Sequence, residues 1–71
     1  MNIRDRWVMG CLVDCFDWVD GKNIYLNIRR WKDGGSIHQK PIWEKTVLIP
    51  KEEEQKVRYN LDSIVMHFLF N

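Results

Sequence analysis

The sequence is poor in cysteine and proline, with two of each in 71 residues, and its net charge is only +1. So few cysteines exclude a scaffold built mainly on disulfides. No apolar run approaches the roughly 18 residues that a membrane span needs, so we expect no membrane segment. The low net charge separates the chain from strongly basic domains that bind nucleic acid mainly through phosphate contacts. With 45% hydrophobic and 30% charged residues, the composition is that of a small globular domain.

The two cysteines, Cys11 and Cys15, lie four residues apart. In a strand this spacing separates their Cα atoms by about 13 Å, whereas a disulfide needs about 7 Å or less. His38 and His67 do not complete any of the usual zinc-ligand spacings. We therefore expect two buried thiols in a reducing cytoplasm, with no metal and no cofactor.

The clearest pattern lies in residues 23–31, where apolar and polar side chains alternate with the period of a strand that has one buried face. The Asp20-Gly21 pair just before it predicts a type I′ hairpin turn, in which both central residues have positive φ. Residues 7–18 should then fold back as the antiparallel partner, with paired residues whose numbers sum to 41. This register gathers six apolar side chains on one face: Cys11, Val13, Cys15, Ile24, Leu26 and Ile28.

The same register places Gly10 opposite Trp31, within a first strand that spans residues 7–18. A helix is the alternative for this segment, because its apolar residues also recur at helical spacing. Gly10 in the middle of the segment counts against the helix, and Asp20-Gly21 counts for the hairpin. We interpret residues 7–18 as a strand and keep the helix as the alternative.

Two further elements follow. The sequence Lys32-Asp33-Gly34-Gly35 predicts a second turn, and residues 42–49 predict a third strand whose register the sequence does not fix. After Pro50, acidic residues and apolar side chains spaced at i, i+4, i+7, i+8 and i+11 predict an amphipathic helix.

Together these elements predict a single α+β domain over residues 1–71. Residues 1–6 would form an arm, residues 7–49 a three-stranded antiparallel β-meander, and residues 50–71 a C-terminal helix packed on one face of the sheet. The predicted order is β-β-β-α. A helix of twenty residues spans about 30 Å, which matches a strand of nine or ten residues.

No group of residues has the spacing of a catalytic site. Ser63 and His67 lie one helical turn apart but have no third group and no pocket to orient them. Asp14, Asp17 and Asp20 recur at every third position, yet the glycine and closing glutamate of a calcium loop are missing. We expect a non-enzymatic protein.

The strongest functional signal is a set of aromatic and basic residues on the polar face of the second predicted strand and in the segment after it. Residues 22–45 carry six basic and two acidic groups. Aromatic residues and arginine anchor many protein interfaces, and the same types stack on bases and pair with phosphates. The predicted partner-binding residues are Tyr25, Asn27, Arg29, Arg30, Trp31, Lys32, His38, Lys40 and Trp43.

These features favour a small cytoplasmic protein that binds a protein partner, as an inhibitor or regulator of a host protein complex of the kind that phages encode. Met66 and Phe70 add apolar surface at the end of the predicted helix, which favours a homodimer through that helix. The alternative function is nucleic-acid binding through the basic and aromatic sheet face. The predicted β-β-β-α order is similar to that of the arm-type DNA-binding domains of some integrases, although fold alone does not determine function.

Overall fold

The computed structural model describes residues 2–70, so Met1 and Asn71, the ends of the predicted arm and helix, lie outside the described residues. It contains an antiparallel sheet of four strands in the order β1-β2-β3-β4, followed by helical segments. The α+β class and the C-terminal helical region are confirmed, whereas the predicted number of three strands is wrong. The elements are β1 (Asn2–Val8), β2 (Cys11–Asp17), β3 (Asn23–Arg30), β4 (Trp43–Pro50), a 3-10 turn (Lys51–Glu53), α1 (Glu54–Tyr59) and α2 (Leu61–Phe70).

The additional strand exists because the chain turns at Met9-Gly10. These residues have φ values of 50° and 77°, as the two central positions of a type I′ turn require, and Val8 pairs with Cys11 across them. The single strand predicted over residues 7–18 is therefore two strands, and residues 2–6 belong to β1 rather than to an arm. Gly10 lies in the turn and does not pair with Trp31.

The register predicted for the next hairpin is confirmed, since six consecutive pairs between β2 and β3 have residue numbers that sum to 41. The turn itself differs from the predicted type I′, because Gly21 has a positive φ of 72° and Asp20 does not. The Asp20 carboxylate instead accepts hydrogen bonds from the backbone N–H groups of Lys22 and Asn23, at 2.8 and 3.0 Å. The hydrogen bond from Lys22 is the largest of the contacts that lower the pKa of this carboxyl.

The predicted third strand is β4, which pairs with β3 in the register that joins Leu26 to Val47. The helix predicted over residues 50–71 is interrupted. Pro50 ends β4, and Asn60 separates α1 from α2. The Asn60 side chain donates a hydrogen bond to the backbone oxygen of Lys56 at 2.9 Å, which shows the tendency of asparagine to bond to nearby backbone and end a helix.

The hydrophobic core lies between the sheet and the helical segments. The apolar row predicted for β2 and β3 faces this core, and all six of its side chains are fully buried. Val57, Leu61 and Val65 cover the row from the helices. No helix of residues 2–70 covers the opposite face of the sheet, which we call the open face.

The core thiols give a pH prediction. Burial raises the pKa of Cys15 from an ordinary value of 9.0 to about 11. Burial also raises the pKa of Cys11. Between pH 9 and pH 11 the folded state then binds more protons at Cys15 than the unfolded chain does. The stability that Cys15 contributes in this way is complete below pH 9 and is lost as the pH rises.

We expect the free energy of unfolding of the wild type to fall by about 2 kcal/mol more than that of Cys15→Ala over this interval. Urea unfolding at a series of pH values measures both losses. The variant serves as the control, since the two proteins share every ionisable side chain except Cys15. Equal losses would contradict the prediction.

Candidate functional site

The predicted partner-binding residues do not share one surface. Tyr25, Asn27 and Arg29 alternate along β3 with the buried row, so they lie on the open face. Trp31 directly follows β3 and contacts Trp7 on the same face. Arg30 and Trp43 pair with each other across β3 and β4 on the helix side, where Trp43 packs against the core. The other three lie in the exposed loop between β3 and β4: Lys32, His38 and Lys40.

One end of the open face carries a stack of aromatic rings. The ring of Tyr25 lies 4.8 Å from Phe16 and 5.1 Å from Trp18, nearly parallel to both. The guanidinium of Arg4 lies 4.2 Å from the centre of the Phe16 ring. These contacts hold Tyr25 half-buried, so the stack is a rigid part of the surface.

The other end carries a tryptophan pair, Trp7 and Trp31, whose ring centres lie 6.4 Å apart. Trp31 is only 9% exposed, and its indole N–H donates a 2.7 Å hydrogen bond to the backbone oxygen of Gln39. Trp7 is 59% exposed. The predicted set does not include Trp7, because a single strand over residues 7–18 places it on the same face as Cys11 and Cys15. The turn at Met9-Gly10 instead pairs Trp7 with Leu12, on the open face.

An ionic network lies between the two aromatic groups. Arg29 Nη2 lies 2.5 Å from Asp14 Oδ2, and Asp14 Oδ1 accepts a 2.9 Å hydrogen bond from the backbone N–H of Asp5. Asp5 has a positive φ of 49° and lies in the irregular part of β1 between Ile3 and Arg6. The Asp14 carboxylate therefore joins three strands of the open face.

Asn27 continues the network towards β4. Its side chain is nearly buried, and Nδ2 donates hydrogen bonds to Glu44 Oε2 at 3.0 Å and to Thr46 Oγ1 at 2.8 Å. Such contacts satisfy the buried amide. The middle of the open face is therefore held by polar contacts within the protein, and Asn27 offers little surface to a partner.

Other candidate features lie away from this face. Met66 and Phe70, predicted for self-association, are 48% and 75% exposed on α2. Within residues 2–70, no three or more His, Cys, Asp or Glu side chains are grouped so that they could hold a metal ion. The same part of the chain contains no helix with the length and apolar character needed to cross a membrane.

Comparison of the chain with protein-family models, with curated proteins and with solved structures finds no match. The function proposed below therefore rests on the contacts and the exposure of the side chains of this chain.

Proposed function

We propose that this protein is a non-enzymatic module that binds a protein partner through the open face of its sheet, as an inhibitor or regulator. The observation that supports the proposal most strongly is Trp7. This large aromatic side chain is 59% exposed, whereas Tyr25, Asn27 and Arg29 of the same face are held by stacking, hydrogen bonds and an ion pair.

The contact of Trp7 with Trp31 suits it to anchor an interface. Trp31 beneath it is buried and hydrogen-bonded to the loop, so the ring that Trp7 contacts does not move freely. A tryptophan offers a large contact area, and truncation of such residues often causes the largest losses of binding energy. Binding by a surface that is already ordered also costs less conformational entropy.

The charges of the open face favour a protein over a nucleic acid. Arg29 is paired with Asp14 and lies 4.0 Å from Asp5, and Arg4 lies on the Phe16 ring. Glu44 adds a further carboxylate beside them. Phosphate binding relies on cations that release counterions, and here the carboxylates already neutralise the cation at the centre of the face.

Trp7→Ala is expected to weaken binding of the partner at least about 30-fold, since loss of a central tryptophan anchor costs about 2 kcal/mol or more. Immobilised wild-type protein first captures the partner from a lysate of the cells in which the protein is made. The affinity of the purified partner for each variant is then measured by titration. Phe70→Ala is the matched control, because it truncates an exposed aromatic side chain on the opposite side of the molecule.

Equal affinity of Trp7→Ala and wild type would contradict the proposal, and selective loss with Phe70→Ala would move the interface to α2. Substitution of Trp31 or Arg29 is a poorer test, because both residues make contacts within the fold. A titration with duplex and single-stranded DNA at about 50 and 200 mM salt tests the other class of partner. Binding that falls about 10³-fold over this range would favour nucleic acid.

A further inference from the structure

The two edges of the sheet differ in a way that matters for association. At one edge, β1 has a register shift between Ile3 and Arg6 and a positive φ at Asp5. Such irregularities protect an edge from pairing with another strand. At the other edge, β4 pairs with β3 through eight consecutive residues without a shift. The regular edge is therefore β4.

The hydrogen bonds show which backbone groups of β4 face outward. Lys51 N–H donates to Lys22 O at 2.9 Å, next to the pair formed by Asn23 and Pro50. In an antiparallel ladder, hydrogen-bonded and non-hydrogen-bonded pairs alternate, so the odd-numbered residues of β4 bond to β3. The backbone N–H and C=O groups of the even-numbered residues, Glu44, Thr46 and Leu48, consequently point away from the sheet.

Beside this edge lies an apolar groove of about 430 Å³ between β4 and the helical segments. Its apolar lining consists of Val47, Ile49, Val57, Ile64 and Phe68. A free strand edge next to a groove that accepts alternate side chains is the arrangement used in β-strand addition. The groove and the edge together can receive one extended strand.

We propose that this strand is β4 of a second copy of the chain, added antiparallel with Thr46 on the twofold axis. In this register Glu44 lies opposite Leu48 of the second copy, and Thr46 lies opposite its own equivalent, so all three outward-facing residues exchange backbone hydrogen bonds. If one β4 strand slides by two residues relative to the other in one direction, Lys45 lies opposite Lys45 of the second copy. Like charges directly opposite each other are unfavourable. The opposite shift places Glu44 opposite Pro50, which has no N–H.

The side chains on the helix side fit the same register. Trp43 lies opposite Ile49 of the second copy, at the groove, and Lys45 lies opposite Val47. Because the axis is twofold, each copy covers the groove of the other. The resulting sheet has eight strands, and its two open faces are continuous with each Trp7 on the same side. The dimer does not depend on the proposed binding of another protein.

Sedimentation tests the dimer. Pairing of a single strand buries less than about 1,200 Å², so we expect the wild type to sediment as the 8.6 kDa monomer when dilute and to approach twice that mass at about 500 µM. Leu48→Glu places two carboxylates opposite each other at both ends and should raise the dissociation constant at least about tenfold. Leu48→Lys should retain the dimer, and Glu44→Lys combined with Leu48→Glu should restore it.

Met66→Glu is the matched control, because Met66 and Leu48 are 48% and 49% exposed, and it should leave the dimer intact. Amide exchange adds a second measurement. The N–H groups of Thr46 and Leu48 should become protected as the concentration rises, while that of Val47 is protected at every concentration. A wild type that stays monomeric at 500 µM, equal behaviour of Leu48→Glu and Leu48→Lys, or dissociation by Met66→Glu would overturn the proposal.

Discussion

Leu26→Ala is expected to remove most of the stability of the protein, whereas Leu48→Ala should cost less than about 1 kcal/mol. Leu26 is fully buried in the core, on the inner strand β3, and Leu48 is 49% exposed on the open face. Truncation of a buried leucine costs about 2 to 5 kcal/mol, and a domain of this size typically has only about 3 to 5 kcal/mol of net stability. The same chemical change therefore has a large effect on stability on the core face of the sheet and a small effect on the open face.

Urea unfolding followed by tryptophan fluorescence measures both variants. Dilute protein is required, so that any association through β4 does not contribute to the stability of Leu48→Ala. A loss of similar size in the two variants would mean that the faces are not divided into a core and an open side as described.

The division into faces follows from the sequence because strand side chains alternate strictly. Once Asp20-Gly21 fixes the turn, the position of every side chain in β2 and β3 is determined, including the burial of Leu26. The turn at Met9-Gly10 was missed because positive φ is uncommon for a methionine, so the dipeptide carries a weaker signal than Asp-Gly. Gly10 is the residue of this dipeptide whose positive φ is ordinary, and a turn at Gly10 implies a strand before it.

The candidate site is harder to predict than the fold. Alternation places Trp31 on the open face, but it cannot show that Gln39 accepts a hydrogen bond from its indole and that the ring is thereby buried. Trp7 is exposed because it lies on the additional strand β1. The ring that it contacts, Trp31, is held by a hydrogen bond to Gln39 in the loop. Local sequence patterns do not contain such contacts between distant segments. The ion pair of Arg29 with Asp14 can be predicted from the sequence, because the predicted register makes these residues diagonal neighbours.

Asp14→Ala is expected to destabilise the protein by about 2 to 3 kcal/mol, a large part of its stability. The side chain of Asp14 is only 14% exposed and that of its partner Arg29 is 27% exposed, so removal of the carboxylate leaves a partly buried cation without its main partner. It also removes the acceptor for the backbone N–H of Asp5, which holds the irregular part of β1.

Asp14→Asn separates the two effects. The asparagine oxygen can still accept a hydrogen bond from Asp5 N–H, whereas the charge opposite Arg29 is lost, so we expect about half of the destabilisation caused by Asp14→Ala. Chemical denaturation measures the free energies, and the amide shift of Asp5 reports the local contact. This shift should stay near its wild-type value in Asp14→Asn and change in Asp14→Ala. If both variants were as stable as the wild type, the contacts of Asp14 with Arg29 and with Asp5 N–H would contribute nothing measurable to holding β1 against the sheet.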